Sequence, residues 1–212
     1  MDSNSAAVES AQPILGPYCF GMEEHPSASI ERAKLQALPS RADGELALDP
    51  LALHLSLGLA YTVGSAIGTH PPSTESCLAA FVLPNGVGLS AGARAWSKHA
   101  HRSQPQDASE DARKTAESSA GWWGRPFGPQ AVLNERALAL FWKVMNSATW
   151  RNLHWLPHQI LVYEVRVAEG YGMRWSQDRS GAQGDEHRIT AWTFRGFVEP
   201  MMEGGHEVGW RH

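Results

Sequence analysis

The sequence lacks the marks of a secreted protein and of a membrane protein. Among its 212 residues are two cysteines, Cys19 and Cys77, too few for a disulfide framework. The first ten residues, MDSNSAAVES, are acidic and polar, whereas a secretory signal is basic and then apolar. The most apolar stretch, residues 51–67, is interrupted by polar residues and glycines, so it does not predict a membrane span. We therefore expect a soluble, cytoplasmic protein with free thiols.

Positive charge is also scarce. The formal net charge is -4 at pH 7. Proteins that bind polyanions usually carry a basic excess, so this balance predicts no nucleic-acid partner and no membrane partner. The expected partner is instead a small molecule, anionic or aromatic. The sequence leaves the oligomeric state open.

Hydrophobic periodicity separates the chain into an extension and one domain. Residues 1–44 show weak periodicity apart from a short helical pattern at 29–38, and they predict a flexible or draped extension. Residues 45–212 predict a single α+β domain. Within it, the stretch at about 103–120 is polar and lacks an apolar stripe, which is typical of a mobile insertion.

Three segments of the domain's first half have distinct patterns. In residues 51–67 apolar side chains recur at every second and also at every fourth position, which leaves helix and strand both open, with helix favoured by the length. The apolar stretch from Cys77 to Leu83 ends at a Pro-Asn-Gly turn and predicts a buried strand. A helix is expected from Ala91 to His101.

The second half gives the clearest patterns. After Gly128 and Pro129, apolar residues recur at helical spacing to about Asn146, which predicts one long helix. Beyond it the period changes to two, first at 161–167 and again at 171–175 and 192–198. We therefore predict an α+β fold, in which an antiparallel sheet of three or more strands in the C-terminal half packs on one long helix.

Strand alternation places several charged side chains on one face of this predicted sheet. The face is either solvated or the floor of a polar pocket. Lysine is nearly absent from this half of the chain, which favours the pocket, because solvated faces use lysine freely and guanidinium groups bind anions through paired hydrogen bonds. The candidate ligand-binding residues on this face are Arg166, Arg174 and Arg195, and its candidate acid–base residues are Glu164 and Glu199.

Tryptophan and histidine add further candidates. Eight of the nine tryptophans follow residue 120, where they form either a dense core or a stacking wall for a ligand. The candidate ligand-binding tryptophans are Trp122, Trp123 and Trp175, and the candidate catalytic histidines are His99 and His206. The C-terminal segment from Gly205 to His212 is expected to fold back over the sheet, anchored by Trp210.

These residues predict a small-molecule enzyme that uses acid–base and anion-binding side chains in a tryptophan-lined pocket, without a nucleotide cofactor. The reaction class stays open among hydrolase, lyase and isomerase. One alternative is a non-catalytic module that binds a small molecule or carbohydrate, and another is a protein-interaction domain. A further alternative is a serine hydrolase, because Ser90 lies in a Gly-x-Ser-x-Gly sequence.

No cofactor is expected, and a histidine-bound metal ion is the less favoured alternative. The four histidines of this alternative lack the tight spacing of a metal motif, and Pro157 interrupts the one i, i+4 pair among them. The histidines of this alternative are His154, His158, His206 and His212.

Overall fold

The structure is a computed structural model that describes residues 16–37, 49–103, 121–181 and 190–201. The insertion predicted at about 103–120, apart from its first residue, and the C-terminal segment with His206, Trp210 and His212 lie outside these residues.

The described residues form five α-helices and one four-stranded sheet. The helices are α1 (Ala28–Ala37), α2 (Pro50–Ser56), α3 (Thr74–Val82), α4 (Ala91–His99) and α5 (Gln130–Asn146). The strands are β1 (Trp150–Leu156), β2 (Ile160–Arg166), β3 (Gly172–Asp178) and β4 (Thr193–Val198). They pair in chain order, each antiparallel to the next. The predicted α+β fold, with its C-terminal antiparallel sheet on one long helix, is confirmed.

Side-chain caps explain where the helices of the first half begin. The Asp49 carboxylate accepts hydrogen bonds from the backbone N–H groups of the first turn of α2, and Pro50 occupies the first position. α2 ends at Ser56, so a helix is correct only for the first part of residues 51–67. The rest runs beside β1, where Ala60 N–H donates to the Arg151 carbonyl and Ala66 N–H to that of Leu153.

The strand predicted from Cys77 to Leu83 is wrong, because these residues belong mainly to α3. Ser73 caps this helix by accepting a hydrogen bond from the Ser76 N–H. Its apolar residues then bury Cys77, Ala80 and Phe81 along one side of the helix. A short apolar run has no period of its own, so the upstream cap decides between helix and strand.

The core lies between the helices and one face of the sheet, which we call the helix face. Phe81 of α3 contacts Phe141 of α5 and Phe194 of β4, with ring centroids 5.1 and 4.7 Å apart. Trp175 of β3 is fully buried there and donates its indole N–H to the Cys77 carbonyl at 3.0 Å. Burial of these aromatic rings fixes the helices against the sheet.

The opposite face, which we call the polar face, carries the charged residues of β2 and β3. In the register of the sheet, Glu164 lies opposite Asn152 on one side and Arg174 on the other. Side chains of paired residues lie on the same face, so these three are neighbours. Segment 16–24 covers one end of this face, where Cys19 packs with Trp150. Burial raises the pKa of the Cys19 thiol to about 11.

Ser90 has a structural role at the start of α4. Its hydroxyl accepts a hydrogen bond from the Ala93 N–H at 3.1 Å, and its own N–H donates to the Asn134 side chain at 2.9 Å. Loss of such a cap costs about 1 kcal/mol. We therefore expect Ser90→Ala to lower the free energy of unfolding in urea by about that amount, while Ser90→Thr, which keeps the hydroxyl, loses less. Equal losses in the two variants would contradict this role.

Candidate functional site

A buried carboxylate organises the polar face. Glu164 is 1% exposed and accepts hydrogen bonds from the Nε atoms of two arginines, one oxygen for each. The contact with Arg166 measures 2.5 Å, and the other partner is Arg174. Arg166 is itself fully buried and also donates to the carbonyls of Gly170 and Glu199. The three side chains therefore hold one another in fixed positions across β2 and β3.

The charge of Glu164 is maintained despite its burial. Burial raises the pKa of a carboxyl group, but the guanidinium groups of Arg166 and Arg174 outweigh this effect and lower the pKa of Glu164 below its ordinary value. Both of its oxygens are occupied by arginines. This arrangement suits an anchor for the two cations.

Beside this anchor lies a small pocket that reaches across all four strands. Its volume is about 170 Å³, and its polar wall is formed by His154 of β1, Arg174 of β3 and Arg195 of β4. Pockets for drug-sized ligands usually measure roughly 300–1,000 Å³. This pocket therefore fits a group of the size of a phosphate better than a complete metabolite. Its apolar wall consists of Leu156, Val162, Phe197 and Val198.

The two arginines of the pocket are presented in different ways. Arg174 is 30% exposed, and Glu164 holds it through Nε, so within the described residues its terminal nitrogens have no hydrogen-bond partner. Arg195 lies in a β-bulge: Arg174 pairs with Gly196 and Trp175 with Phe194, which leaves Arg195 as the extra residue. A bulge redirects a side chain without ending the strand. Both guanidinium groups therefore reach the same pocket.

His154 supplies the titratable group of the pocket. Burial is the main cause that lowers the pKa of its imidazole below the usual value. Glu164 raises this pKa, and the two arginines beside it lower it again. Nδ1 of His154 is buried without a hydrogen-bond partner among the described residues. The ring is therefore neutral near pH 7 and can accept a proton.

The other residues predicted from the sequence lie in different places. Arg166 shares the polar face but is fully buried and does not line the pocket. His99 lies at the end of α4, and burial together with neighbouring cations lowers its pKa. Glu199 is buried just after β4, and burial raises the pKa of its carboxyl group. His206 lies outside the described residues. A catalytic role for His99, Glu199 and His206 stays a prediction.

The three candidate tryptophans do not line this pocket. Trp175 and Trp123 are buried in the core between the helices and the sheet. Trp122 is half-buried and stacks on Tyr171, with the ring centroids 4.8 Å apart and the Lys143 amine 3.6 Å from the Trp122 centroid. None of these three indole rings therefore contributes to the cationic pocket.

The histidines of the metal alternative are also separated. His154 lies in the pocket, whereas His158 is exposed in the turn between β1 and β2, in a left-handed conformation with φ of 64°. In the part of the chain that the structure describes, no group of three or more histidine, cysteine, aspartate or glutamate side chains is placed to hold a metal ion. His206 and His212 lie outside that part.

Sequence reasoning considered His154 only as a metal ligand. It did not identify β1, although Trp150, Asn152 and His154 alternate with Arg151 and Leu153 at strand spacing. Recognition of this strand would have placed His154 on the same face as Glu164. Within the described residues, every helix is too short or too polar to span a lipid bilayer.

One comparison with known proteins finds a related family. Residues 108–184 match the family described as the CdiA C-terminal tRNase toxin domain. The match covers about a third of the chain, and its described part includes α5 and the first three strands. It therefore includes His154, Glu164 and Arg174, and it ends before Arg195. No curated protein and no solved structure matches the chain.

This match overturns the functional expectations drawn from the sequence. A tRNase toxin domain acts on a nucleic acid, so the expected small-molecule enzyme, the small-molecule or carbohydrate-binding module and the Ser90 hydrolase are wrong. The expected absence of a nucleic-acid partner and the expected small-molecule ligand are wrong for the same reason. The expectation of no nucleic-acid partner was based on the net charge of the whole chain. Binding of RNA depends instead on the local field of a few cations.

The Glu164 anchor generates a stability prediction. Glu164→Gln leaves the buried Arg166 without a counter-charge, and breaking a buried pair in this way costs about 3–5 kcal/mol. We expect a loss of about 3 kcal/mol in denaturant unfolding at pH 7. The control is Glu31→Gln in the exposed pair with Lys34, for which we expect less than about 1 kcal/mol.

The stability difference between the native protein and Glu164→Gln should depend on pH, because the pKa of Glu164 is lowered in the folded protein. The ionised Glu164 stabilises the folded state fully above its unfolded pKa of about 4.5, and this contribution is lost as the pH falls through the lower pKa of the folded protein. The stability gap between the native protein and Glu164→Gln should therefore narrow below about pH 4.5. A gap that does not depend on pH would contradict the ion pairs.

Proposed function

We propose that this chain is a ribonuclease that cleaves tRNA at the pocket formed by His154, Arg174 and Arg195. The observation that carries the proposal is the convergence of a neutral imidazole and two guanidinium groups in a pocket of about 170 Å³ on the polar face. The match of residues 108–184 to a tRNase toxin domain supports RNA as the substrate. Two of these three residues lie within the matched segment.

The chemistry of RNA fits this set of side chains. A ribose 2′-hydroxyl can attack the neighbouring phosphorus once a base removes its proton, and a neutral histidine is suited to this task. Two guanidinium groups can bind the non-bridging phosphate oxygens and stabilise the extra charge of the transition state. His154 therefore acts as the general base, and Arg174 and Arg195 bind the phosphate.

The reaction is a transfer of the phosphoryl group within the RNA. The 2′-oxygen forms a bond to phosphorus while His154 accepts its proton, and the bond from phosphorus to the 5′-oxygen breaks. The leaving oxygen takes a proton from solvent, which reaches the pocket beside the exposed Arg195. The products are a 2′,3′-cyclic phosphate and a free 5′-hydroxyl.

The anchor determines the position of one phosphate-binding group. Because Glu164 engages Nε of Arg174, the paired terminal nitrogens stay available for phosphate oxygens. Arg166 satisfies the second Glu164 oxygen and does not reach the pocket. In this account Glu164 and Arg166 are positioning residues, and neither touches the RNA.

Substitution of the pocket residues tests the proposal. With purified protein and total tRNA, His154→Ala should lower kcat/KM about 10²–10⁴-fold, because a general base contributes that much. Arg174→Gln and Arg195→Gln should each lower it about 10²-fold or more. The control is Arg125→Gln, which removes an exposed arginine outside the pocket and should leave cleavage unchanged.

The products provide a second readout. Fragments from the native protein should carry 2′,3′-cyclic phosphates, and tRNA whose 2′-hydroxyl groups are methylated should resist cleavage. Cleavage that survives in His154→Ala at the native rate, or that accepts the methylated substrate, would contradict the proposed mechanism.

The lowered pKa of His154 predicts the pH profile. Because the base must be unprotonated, kcat/KM should fall in an acidic limb whose midpoint lies below 6.5, the ordinary pKa of an imidazole. Arg174→Gln removes one of the cations that lower this pKa, so its acidic limb should shift to higher pH. An acidic limb that is unchanged in Arg174→Gln would contradict the assignment of His154.

A further inference from the structure

An aromatic groove lies at the end of the sheet next to the pocket. It is formed by the described residues Tyr18, Phe20, Ala168, Glu169, Tyr171 and Pro200, and its volume is about 570 Å³. Tyr18 and Phe20 are 62% and 57% exposed, which is unusual for side chains of this size. The groove is large enough for a planar ring that the smaller pocket cannot hold.

Contacts within the protein hold the Tyr171 ring of the groove and the backbone that carries Tyr18 and Phe20. Tyr171 stacks on Trp122 with an angle of 12° between the ring planes, and the Lys143 amine lies over the far side of Trp122. The backbone that carries the other two rings is also fixed, because Phe20 N–H donates to the Ala168 carbonyl at 2.9 Å and Tyr18 N–H donates to that of Thr149 at 3.0 Å. Prearranged aromatic walls reduce the ordering cost of stacking a ligand between them.

The groove and the pocket are separate, but two of their lining residues are close in the chain. Val198 lines the pocket and Pro200 lines the groove. Two residues of extended chain span about 7 Å. Neighbouring nucleotides of an extended RNA strand have a comparable spacing, so one phosphate can occupy the pocket while an adjacent base occupies the groove.

The charge of the groove indicates which part of RNA it accepts. Among the described residues that line it, Glu169 is the one acidic or basic residue, and its carboxylate repels a phosphate. A carboxylate accepts two hydrogen bonds side by side. Of the four RNA bases, guanine offers two adjacent donors on its pairing edge, the ring N1–H and the 2-amino group. Aromatic walls provide the stacking that every unpaired base can use.

We propose that this groove binds an unpaired guanine next to the cleaved phosphate, with Phe20 and Tyr171 stacking on the base and Glu169 accepting its two hydrogen bonds. The inference rests on the proposed function, because it takes the RNA bound at the pocket as its ligand. It makes Glu169 a determinant of sequence specificity.

Binding of RNA that cannot be cleaved tests this proposal separately from catalysis. The probes are fluorescein-labelled, fully 2′-O-methylated hexamers of uridine in which one position is guanine or inosine, and binding is followed by anisotropy. Inosine lacks only the 2-amino group. We expect the guanine hexamer to bind about tenfold more tightly than the inosine hexamer, since one hydrogen bond to a charged group is lost.

Matched variants identify the two contacts. Phe20→Ala should weaken binding of the guanine hexamer about tenfold, as expected for loss of one stacking ring. Glu169→Gln should remove the difference between the two hexamers. The controls are Phe127→Ala, at a phenylalanine 58% exposed elsewhere, and Glu135→Gln, at an exposed glutamate of α5, and both should bind as the native protein does.

Three results would overturn the proposal. The first is equal binding of the two hexamers by the native protein, and the second is a preference for guanine that persists in Glu169→Gln. The third is unchanged RNA binding by Phe20→Ala together with loss of a dimer in sedimentation, which would assign the groove to a second copy of the chain. If His154→Ala cleaves tRNA at the native rate while the native protein still prefers the guanine hexamer, the assignment of His154 as the general base is wrong. The proposal that the groove binds guanine is then still supported.

Discussion

The arrangement of the polar face depends on one buried interaction, the contact of the Glu164 carboxylate with two arginines. Without the carboxylate, two guanidinium groups would lie side by side, one of them with no access to water. Without the arginines, the carboxylate would be a buried, unpaired charge. Because each group is tolerated only in the presence of the others, the triad fixes β2 against β3 and fixes where the cation of Arg174 is presented.

The two faces of the sheet have different roles. The helix face buries the aromatic core that stabilises the fold, whereas the polar face carries the anchor and, next to it, the pocket. The N-terminal segment closes one end of the polar face through Cys19 and Trp150, whereas His154, Leu156 and Val162 of the pocket lie farther along the strands. A small, positively lined pocket on a rigid sheet suits the recognition of a phosphate within a longer chain.

Local patterns predicted the fold in the second half of the chain better than in the first. The long helix and the alternating strands have strong periods, and α5, β2 and β3 follow them. The segment from Cys77 to Leu83 has no period, and its conformation depends on the Ser73 cap and on packing against α5. Residues 51–67 have apolar side chains at both strand and helix spacing. The Asp49 cap makes the first part a helix, and hydrogen bonds to the backbone of β1 hold the rest in another conformation.

The site was less predictable than the fold. Alternation placed Arg166 and Arg174 on one face, but it did not reveal that Glu164 pairs with both arginines through their Nε atoms, nor that Arg166 is buried while Arg174 reaches the pocket. The bulge at Arg195 cannot be read from periodicity, because the extra residue is absorbed by Gly196 with φ of 129°. The overall charge of -4 gave no sign of the two cations that meet in the pocket.

The most direct test of this account is a crystal structure of the protein with a 2′-O-methylated RNA that it binds and cannot cleave. We predict a phosphate in contact with the terminal nitrogens of Arg174 and with Arg195, and the His154 imidazole beside the adjacent ribose 2′-oxygen, at about 3 Å if the methyl group does not displace it. An RNA strand that binds elsewhere, with its phosphates distant from these three side chains, would contradict the assignment of the polar face as the site of cleavage.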